Sequence, residues 1–183
     1  MSPIVIDILG NGFDLTSAQN GVMFDIAREG TPRQVAWTSA NSDDAWLVLD
    51  RNGNGLIDHG RETFGSASPQ PFLNPGETKN GFRSLAVFDQ FDQGGNGDGK
   101  LNRRDAIFSQ LQLWQDVNHN GISEPNELHS LPDLGLRVID LDYQEKRRYD
   151  IWGNWFRFRS KVRDAQDAQL GRWAWDVFPQ TLP

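Results

Sequence analysis

The sequence lacks cysteine and long apolar runs, and each absence excludes a class of protein. Without cysteine the chain has no disulfide scaffold, no cysteine zinc site and no cysteine nucleophile, although a secreted protein can also do without it. No stretch reaches the roughly 18 apolar residues that a transmembrane helix needs, so we expect no membrane span. The first residues, MSPIVIDILGNG, lack a basic segment followed by an apolar one, so we expect no signal peptide there. The chain could still be the mature part of a secreted protein.

The length and the aromatic content favour a folded domain. Seven Trp and 11 Phe among 183 residues are more than a disordered chain carries. We predict one domain over residues 1–183, with an N-terminal β region (1–40), a loop-rich middle (41–132) and a C-terminal β region (133–183).

The charge is acidic and unevenly distributed along the chain. The net charge is −7, but residues 1–142 hold 20 acids and 10 bases, whereas residues 143–183 hold five acids and eight bases. An acidic body disfavours a polyanionic partner, so we expect no nucleic acid to bind. Acidic residues that lie close together repel one another, and either solubility or a bound cation would explain them.

Local patterns of apolar residues and turn residues predict the secondary structure. We expect strands at residues 3–8, 34–38, 138–142, 155–162 and 171–178, a surface loop at 65–79, and helices at 42–49, 81–89, 103–115 and 125–131. The predicted fold is α+β, with short N-terminal strands, a helical middle and a C-terminal antiparallel β-sheet.

The strongest motif is DVNHNGISEPNE, at residues 116–127. It has the oxygen-bearing residues of an EF-hand calcium loop at positions 1, 3, 5, 9 and 12, a glycine at position 6, and predicted helices on both sides. A hard Ca²⁺ ion takes six to eight oxygen ligands, and this spacing turns alternate side chains inward. The predicted ligands are Asp116, Asn118, Asn120, the carbonyl of Ile122, Glu124 directly or through water, and Glu127. The alternative is an Asn-Gly-rich turn without an ion.

Two further segments carry similar spacing with one defect each. In residues 89–105 the first loop position falls on a glycine, so Asp89 or Asp92 would have to supply that ligand, and the last position is aspartate. In residues 50–62 the closing glutamate comes one residue late. The predicted ligands of the first of these segments are Asp89, Asp92, Asn96, Asp98, the carbonyl of Lys100, and Asp105. Those of the other are Asp50, Asn52, Asn54, the carbonyl of Leu56, Asp58 and Glu62.

These motifs together predict an EF-hand-like helix-loop-helix middle in which the helix at 103–115 is shared by two adjacent, paired loops. Residues 7–12 and 25–30 match the calcium-loop spacing only in part, because their third positions are Leu9 and Ala27, which offer no side-chain oxygen. Turns without an ion explain both of these segments more simply.

Over most of its length the chain resembles the calcium-binding self-processing module of secreted RTX-type proteins and related EF-hand-like bacterial extracellular domains. The resemblance rests chiefly on SDDAWLVLDRNGNGLIDHGRETFG and GNGDGKLNRRDAIFSQLQLWQDVNHNGISEPNELHSLPDLGL. It implies calcium-dependent folding at a secreted or cell-surface location, with other domains of a larger protein as partners. Self-processing members cleave an Asp–Pro bond at the N-terminal edge, but Ser2 precedes Pro3 here and no Asp-Pro dipeptide occurs.

We therefore expect a non-catalytic calcium-binding module with no catalytic residues, and keep calcium-triggered self-cleavage as the alternative. His59 and His119 sit at outward positions of the loops, so we expect exposed loop residues rather than a zinc site. The Trp- and Arg-rich C-terminal strands could present a face that binds a glycan or a protein. Packing of the tryptophans in the core and solvation of the arginines is the simpler explanation.

Overall fold

The computed structural model describes residues 1–182 and shows a protein built mainly from antiparallel β-strands. The elements, in chain order, are β1 (Ile4–Ile6), β2 (Val22–Phe24), β3 (Arg33–Val35), β4 (Ala45–Val48), α1 (Gly81–Ala86), β5 (Lys100–Leu101), β6 (Gln112–Trp114), β7 (Leu128–Ser130), β8 (Val138–Asp140), β9 (Gln144–Tyr149), β10 (Trp155–Arg163) and β11 (Trp173–Phe178). Short 3₁₀ turns occupy Val87–Asp89, Phe91–Gln93, Ala106–Ser109, Pro125–Glu127 and Pro132–Leu134. No helix within residues 1–182 is long and apolar enough to cross a membrane.

Nine strands form one sheet in the order β5-β8-β10-β11-β1-β4-β6-β7, with β9 also pairing with β10. Every pairing within it is antiparallel. The chain termini meet at the centre, where Ile4 of β1 lies opposite Asp176 of β11. Strands β2 and β3 form a separate two-stranded sheet.

The central strands are buried on both faces. Ile4, Ile6 and Leu47 belong to one apolar cluster, whereas Val5 and Trp46 belong to another. Successive side chains of a strand point to opposite faces, so the two clusters lie on opposite sides of the sheet. A strand covered on both sides reads as a continuous apolar run, which is why the sequences IVI and AWLV show no polar alternation.

The second cluster is built around three tryptophans that pack in tilted and edge-to-face arrangements. The ring of Trp37 lies 4.5 Å from that of Trp46 and 5.3 Å from that of Trp114, measured between centroids. Phe24 of β2 packs on Trp37 at 5.0 Å, which attaches the small sheet to the large one. These three tryptophans are core residues. Of the tryptophans in the C-terminal region, Trp175 is buried, Trp155 and Trp173 are half-buried, and Trp152 is exposed.

The predicted helices of the middle region are largely wrong, and with them the EF-hand-like α+β fold class. Residues 42–49 contain β4, residues 103–115 contain a 3₁₀ turn and β6, and residues 125–131 contain a 3₁₀ turn and β7. Only the helix predicted at 81–89 is present, as α1 followed by a 3₁₀ turn, and α1 is the single α-helix of residues 1–182. The error has a physical cause, because a short strand buried on both faces cannot be told from a buried helix by periodicity.

Asp176 lies in the centre of this core and is fully buried. Its Oδ2 accepts a hydrogen bond from the N–H of Gly81 at the start of α1. Burial raises the pKa of the Asp176 carboxyl to about 7. An unfolded aspartate has a pKa near 3.8, so between about pH 4 and 7 the folded chain keeps a proton that the unfolded chain has lost. Stability therefore falls as pH rises through this window.

We predict that Asp176→Asn removes this part of the pH dependence, because an amide is neutral throughout and can still accept from Gly81. The free energy of unfolding of the variant minus that of the natural chain should increase with pH between about 4 and 7, by up to about 1.4 kcal/mol per pH unit. Urea unfolding in excess chelator at several pH values measures the difference. A difference that stays constant across the window would contradict the assignment.

Candidate metal sites

Two of the three segments with calcium-loop spacing, residues 50–62 and 116–127, connect strands rather than helices. The remaining segment, residues 89–105, follows α1 and the 3₁₀ turn Val87–Asp89 and leads into the 3₁₀ turn Ala106–Ser109. We name the three segments the first loop (residues 50–62), the second loop (89–105) and the third loop (116–127). The third loop joins β6 to β7, and the first joins β4 to Thr63, which bridges back to Val48. In both, the residue before the loop donates its N–H to the carbonyl of the closing glutamate, from Leu49 to Glu62 at 2.8 Å and from Gln115 to Glu127 at 3.0 Å. Both are therefore β-hairpin loops, which corrects the predicted helix-loop-helix arrangement.

The leading aspartate organises each loop in the same way. The carboxylates of Asp50, Asp89 and Asp116 each accept backbone N–H groups from the fifth and sixth positions of their own loop. The donors are Asn54 and Gly55 at 3.2 and 2.8 Å, Asp98 and Gly99 at 3.2 and 2.8 Å, and Asn120 and Gly121 at 3.0 and 2.8 Å. The glycine is required because its φ is positive, +73° at Gly121, a conformation that side chains disfavour. The three loops thus share one backbone scaffold.

The polar side chains at the third and fifth positions fold back over the same turn. Their Oδ1 atoms accept backbone N–H groups two residues further on. The acceptors are Asn52 and Asn54, Asn96 and Asp98, and Asn118 and Asn120. The amide nitrogens then reach the ninth position, since Asn54 donates to Asp58 at 3.0 Å and Asn120 to Glu124 at 2.8 Å. These contacts hold the polar side chains at the third and fifth positions over the turn of their own loop.

The closing carboxylates are buried beneath the loops. Glu62 and Glu127 are 0% exposed and Asp105 is 2% exposed. Each accepts two hydrogen bonds that hold it against the start and the end of its loop. The donors are the N–H groups of Arg51 and Asp58 to Glu62, of Asn96 and Asn102 to Asp105, and of Val117 with the Trp114 indole to Glu127. Glu62 thus occupies the place of Glu127 even though it comes one residue later in its loop.

The electrostatics of these three groups are unfavourable in the absence of a cation. Burial raises the pKa of Glu62, Asp105 and Glu127 above the ordinary carboxyl range. The adjacent Glu124 carboxyl raises the pKa of Glu127 further, and the charges of Asp89 and Asp98 do the same for Asp105. Among residues 1–182 no lysine or arginine nitrogen lies within 4.0 Å of any of the three carboxylates. Glu62 differs from the other two, because His59 Nδ1 lies 3.6 Å from its Oε2 and a protonated His59 would lower its pKa.

The structure distinguishes between the two aspartates that were predicted as alternative first ligands of the second loop. Asp89 is buried and caps the loop as described above. Asp92 is exposed in the 3₁₀ turn Phe91–Gln93 and has no hydrogen bond to the loop in the described part of the chain. Asp89 therefore takes the place in the second loop that Asp50 and Asp116 take in the other two. Residues 90–95 form an insertion between Asp89 and the rest of the loop. The carbonyl groups predicted as ligands belong to Leu56, Lys100 and Ile122, which are all exposed.

The loops pair differently from the prediction. The Ser123 hydroxyl accepts the N–H of Ile57 at 2.7 Å, so the eighth positions of the first and third loops meet. The second loop was predicted to pair with the third through a shared helix, but residues 103–115 do not form that helix. The first and third loops, which contact each other, are far apart in sequence, and the spacing of residues within each loop does not identify its partner. Sequence reasoning also missed the Trp114 indole that bonds Glu127.

The third loop is also attached to the N-terminal region through His119. Its Nδ1 lies 2.7 Å from the Thr38 carbonyl and its Nε2 lies 2.6 Å from the Asn20 carbonyl. His119 is therefore a structural contact rather than the outward-facing residue that the sequence predicted. His59 lies beside Asp58 and Glu62, and one potential ligand atom of each falls within 4.8 Å of the other two.

The basic C-terminal face is more tightly packed than predicted. The guanidinium of Arg148 lies 4.0 Å from the centre of the Phe156 ring, and that of Arg159 lies 3.8 Å from the centre of Trp173. These arginines cover aromatic rings and are not simply solvated.

Comparison with known proteins identifies the family. The SPM domain model matches residues 4–175. A stretch of 145 residues, 78% of this chain, is 39% identical to the iron-regulated protein FrpA of Neisseria meningitidis serogroup C, and it covers 12% of that protein. The chain thus spans about an eighth of the length of this curated relative.

These matches, with the β fold, correct the identification that was based on sequence alone. The RTX-related, EF-hand-like module expected from the resemblance is wrong, because the first and third loops are flanked by strands, the structure is mostly β, and the matching family is a different one. With nearly the whole chain covered by one family model, the protein belongs to the SPM domain family.

Proposed function

We propose that this chain is a calcium-binding module whose fold is stabilised by Ca²⁺ in the first, second and third loops. The proposal is supported chiefly by the burial of Asp105 and Glu127, which have no lysine, arginine or histidine nitrogen within 4.0 Å among residues 1–182. Glu62 is equally buried, with His59 Nδ1 3.6 Å from its Oε2. A buried carboxylate without a positive partner is destabilising. A cation bound in the loop would attract these carboxylates and offset the cost of burying them.

The donor set favours calcium over other metals. The candidate ligands of the second and third loops are carboxylate, amide and carbonyl oxygens, the ligands of hard cations, and neither loop places a histidine nitrogen beside them. Ca²⁺ tolerates the flexible, high coordination number that such loops offer, whereas Mg²⁺ demands a compact octahedron and retains its waters. When bound, the ion would neutralise the leading, ninth-position and closing carboxylates together.

The position of the loops would couple ion binding to the stability of the sheet. The first and third loops close hairpins on β4 and β6, which are neighbours in the large sheet and carry Trp46 and Trp114. Holding either hairpin shut keeps these tryptophans in the second apolar cluster. A ligand that binds only the folded chain stabilises it by mass action.

We place this module outside the cell, as part of a longer protein. Only three carboxylates serve each candidate site, and the third and fifth positions of the first and third loops are neutral asparagines. Low ligand charge weakens binding, and extracellular modules bind calcium at roughly 10⁻⁴–10⁻³ M. The relative named above is about eight times longer than the matched segment, which supports other domains of a larger protein as partners.

No observation favours the alternative of calcium-triggered cleavage before Pro3. Ser2 offers a hydroxyl where that reaction needs a carboxyl group, and the chain has no Asp-Pro dipeptide. We therefore keep calcium-triggered cleavage only as the alternative to the proposed function.

Calcium should raise the melting temperature of the protein. At a concentration one hundred times Kd, one site adds about 2.7 kcal/mol. For a domain of this size that corresponds to roughly 5–10 °C. Calorimetry in excess Ca²⁺, in excess chelator and in Mg²⁺ checks this, and Mg²⁺ should have a much smaller effect. Equal melting temperatures in calcium and in chelator would refute the proposed function.

The variants Asp89→Asn and Asp92→Asn form a matched pair for the second loop. Asp89→Asn should weaken calcium binding at that loop about tenfold or more, because it removes a charged ligand from the first position. Asp92→Asn should leave the affinity unchanged, although both aspartates lie close in sequence and carry the same charge. Isothermal titration of both variants measures this. If the two variants bind alike, the assignment of Asp89 fails.

A further inference from the structure

A second kind of acidic cluster lies where β1 ends and β4 begins, outside the three loops. The two strands are antiparallel, with Ile6 opposite Ala45. One step further along this register, Asp7 comes opposite Asp44. Like charges placed directly across two strands destabilise the pair. A third acid, Asp43, precedes Asp44 and belongs to the same cluster.

The three carboxylates converge closely. One oxygen from each of Asp7, Asp43 and Asp44 lies within 4.8 Å of the other two. Within residues 1–182 no lysine or arginine nitrogen approaches any of them to 4.0 Å. Asp7 accepts the N–H groups of Gly10, Asn11 and Gly12, and Asp43 accepts the N–H of Leu9 and the side-chain amide of Asn11. The cluster thus anchors the turn at residues 9–12.

The buried oxygen of Asp44 is a separate observation that points to a ligand. Asp44 is 1% exposed. Its Oδ2 accepts the N–H of Asp14 at 2.7 Å and the hydroxyl of Ser42 at 2.9 Å, whereas its Oδ1 is buried without any hydrogen-bond partner. A buried carboxylate oxygen with no partner costs free energy, so such atoms are rare without a function. Burial raises the pKa of Asp44 to about 7, and the charges of Asp43 and Asp7 add to the effect.

We propose that Asp7, Asp43 and Asp44 form a further site for a hard divalent cation, Ca²⁺, with Asp44 Oδ1 as a direct ligand. The ion would tie the end of β1 to the start of β4 and order the turn at residues 9–12. This site uses none of the residues of the three loops and does not depend on their binding calcium.

Asp25 provides a matched control within the chain. Like Asp7, it accepts backbone N–H groups four and five residues further on, from Glu29 and Gly30, both at 2.8 Å. Unlike Asp7, it belongs to no group of three potential ligand residues in the described part of the chain. If the turn geometry alone bound calcium, Asp25 would bind it as well.

The test is a calcium titration followed by NMR on the full chain, comparing the natural protein with Asp44→Asn and Asp25→Asn. The amides of Leu9 and Gly12 report this site, and the amides of Asn120 and Gly121 report the third loop. We expect Leu9 and Gly12 to shift saturably in the natural chain and in Asp25→Asn. In Asp44→Asn their midpoint should rise at least tenfold while the third loop responds normally.

Two outcomes would overturn this site. One is that Leu9 and Gly12 do not respond to calcium in the natural chain, which would mean that the cluster holds a proton instead. The other is that they respond with the same midpoint in Asp44→Asn. If Asp44→Asn fails to fold, the half-buried Asp43→Asn replaces it with the same expectation. If calcium shifts the amide of Leu9 but not the amides of Asn120 and Gly121, the proposed function is refuted and the site at Asp7, Asp43 and Asp44 is supported.

Discussion

The organisation of this molecule depends on carboxylates that are buried where hairpins of the central sheet turn. Glu62 and Glu127 use their main-chain carbonyls to close a strand pair and their carboxylates to hold the loop above it. The same residue therefore belongs to the sheet and to the candidate ion site. An ion bound by these carboxylates would therefore be linked to the hairpins that carry Trp46 and Trp114.

The short strands of the sheet make it depend on the loops that join them. Four of its strands, β1, β4, β6 and β11, are short, between three and six residues, and lie between two separate apolar clusters. Such strands contribute few backbone hydrogen bonds each, so the loops that join them must be held in place. Aspartates that accept several backbone N–H groups do this repeatedly, at Asp7, Asp25 and Asp50 among others.

The sequence allowed the loops to be located but not the elements around them. Asx-type spacing is a local property, so the positions of Asp50 and Asp116 and of the loop glycines could be predicted. The choice between Asp89 and Asp92 needed the structure. The strands β4 and β6 could not be predicted, because burial on both faces removes the alternation that marks a strand. The contact of Ile57 with Ser123 and the meeting of Asp7 with Asp44 depend on strand pairing over long sequence separations, which no local pattern encodes.

The central claim is that Glu62, Asp105 and Glu127 each close a calcium site. The most direct measurement is a crystal structure grown in calcium, with anomalous scattering used to locate the ions. The account predicts one ion in each loop, bound by the closing carboxylate at about 2.3–2.6 Å together with the leading aspartate. Well-ordered loops without anomalous density beside these three carboxylates, at calcium concentrations of several millimolar, would contradict it.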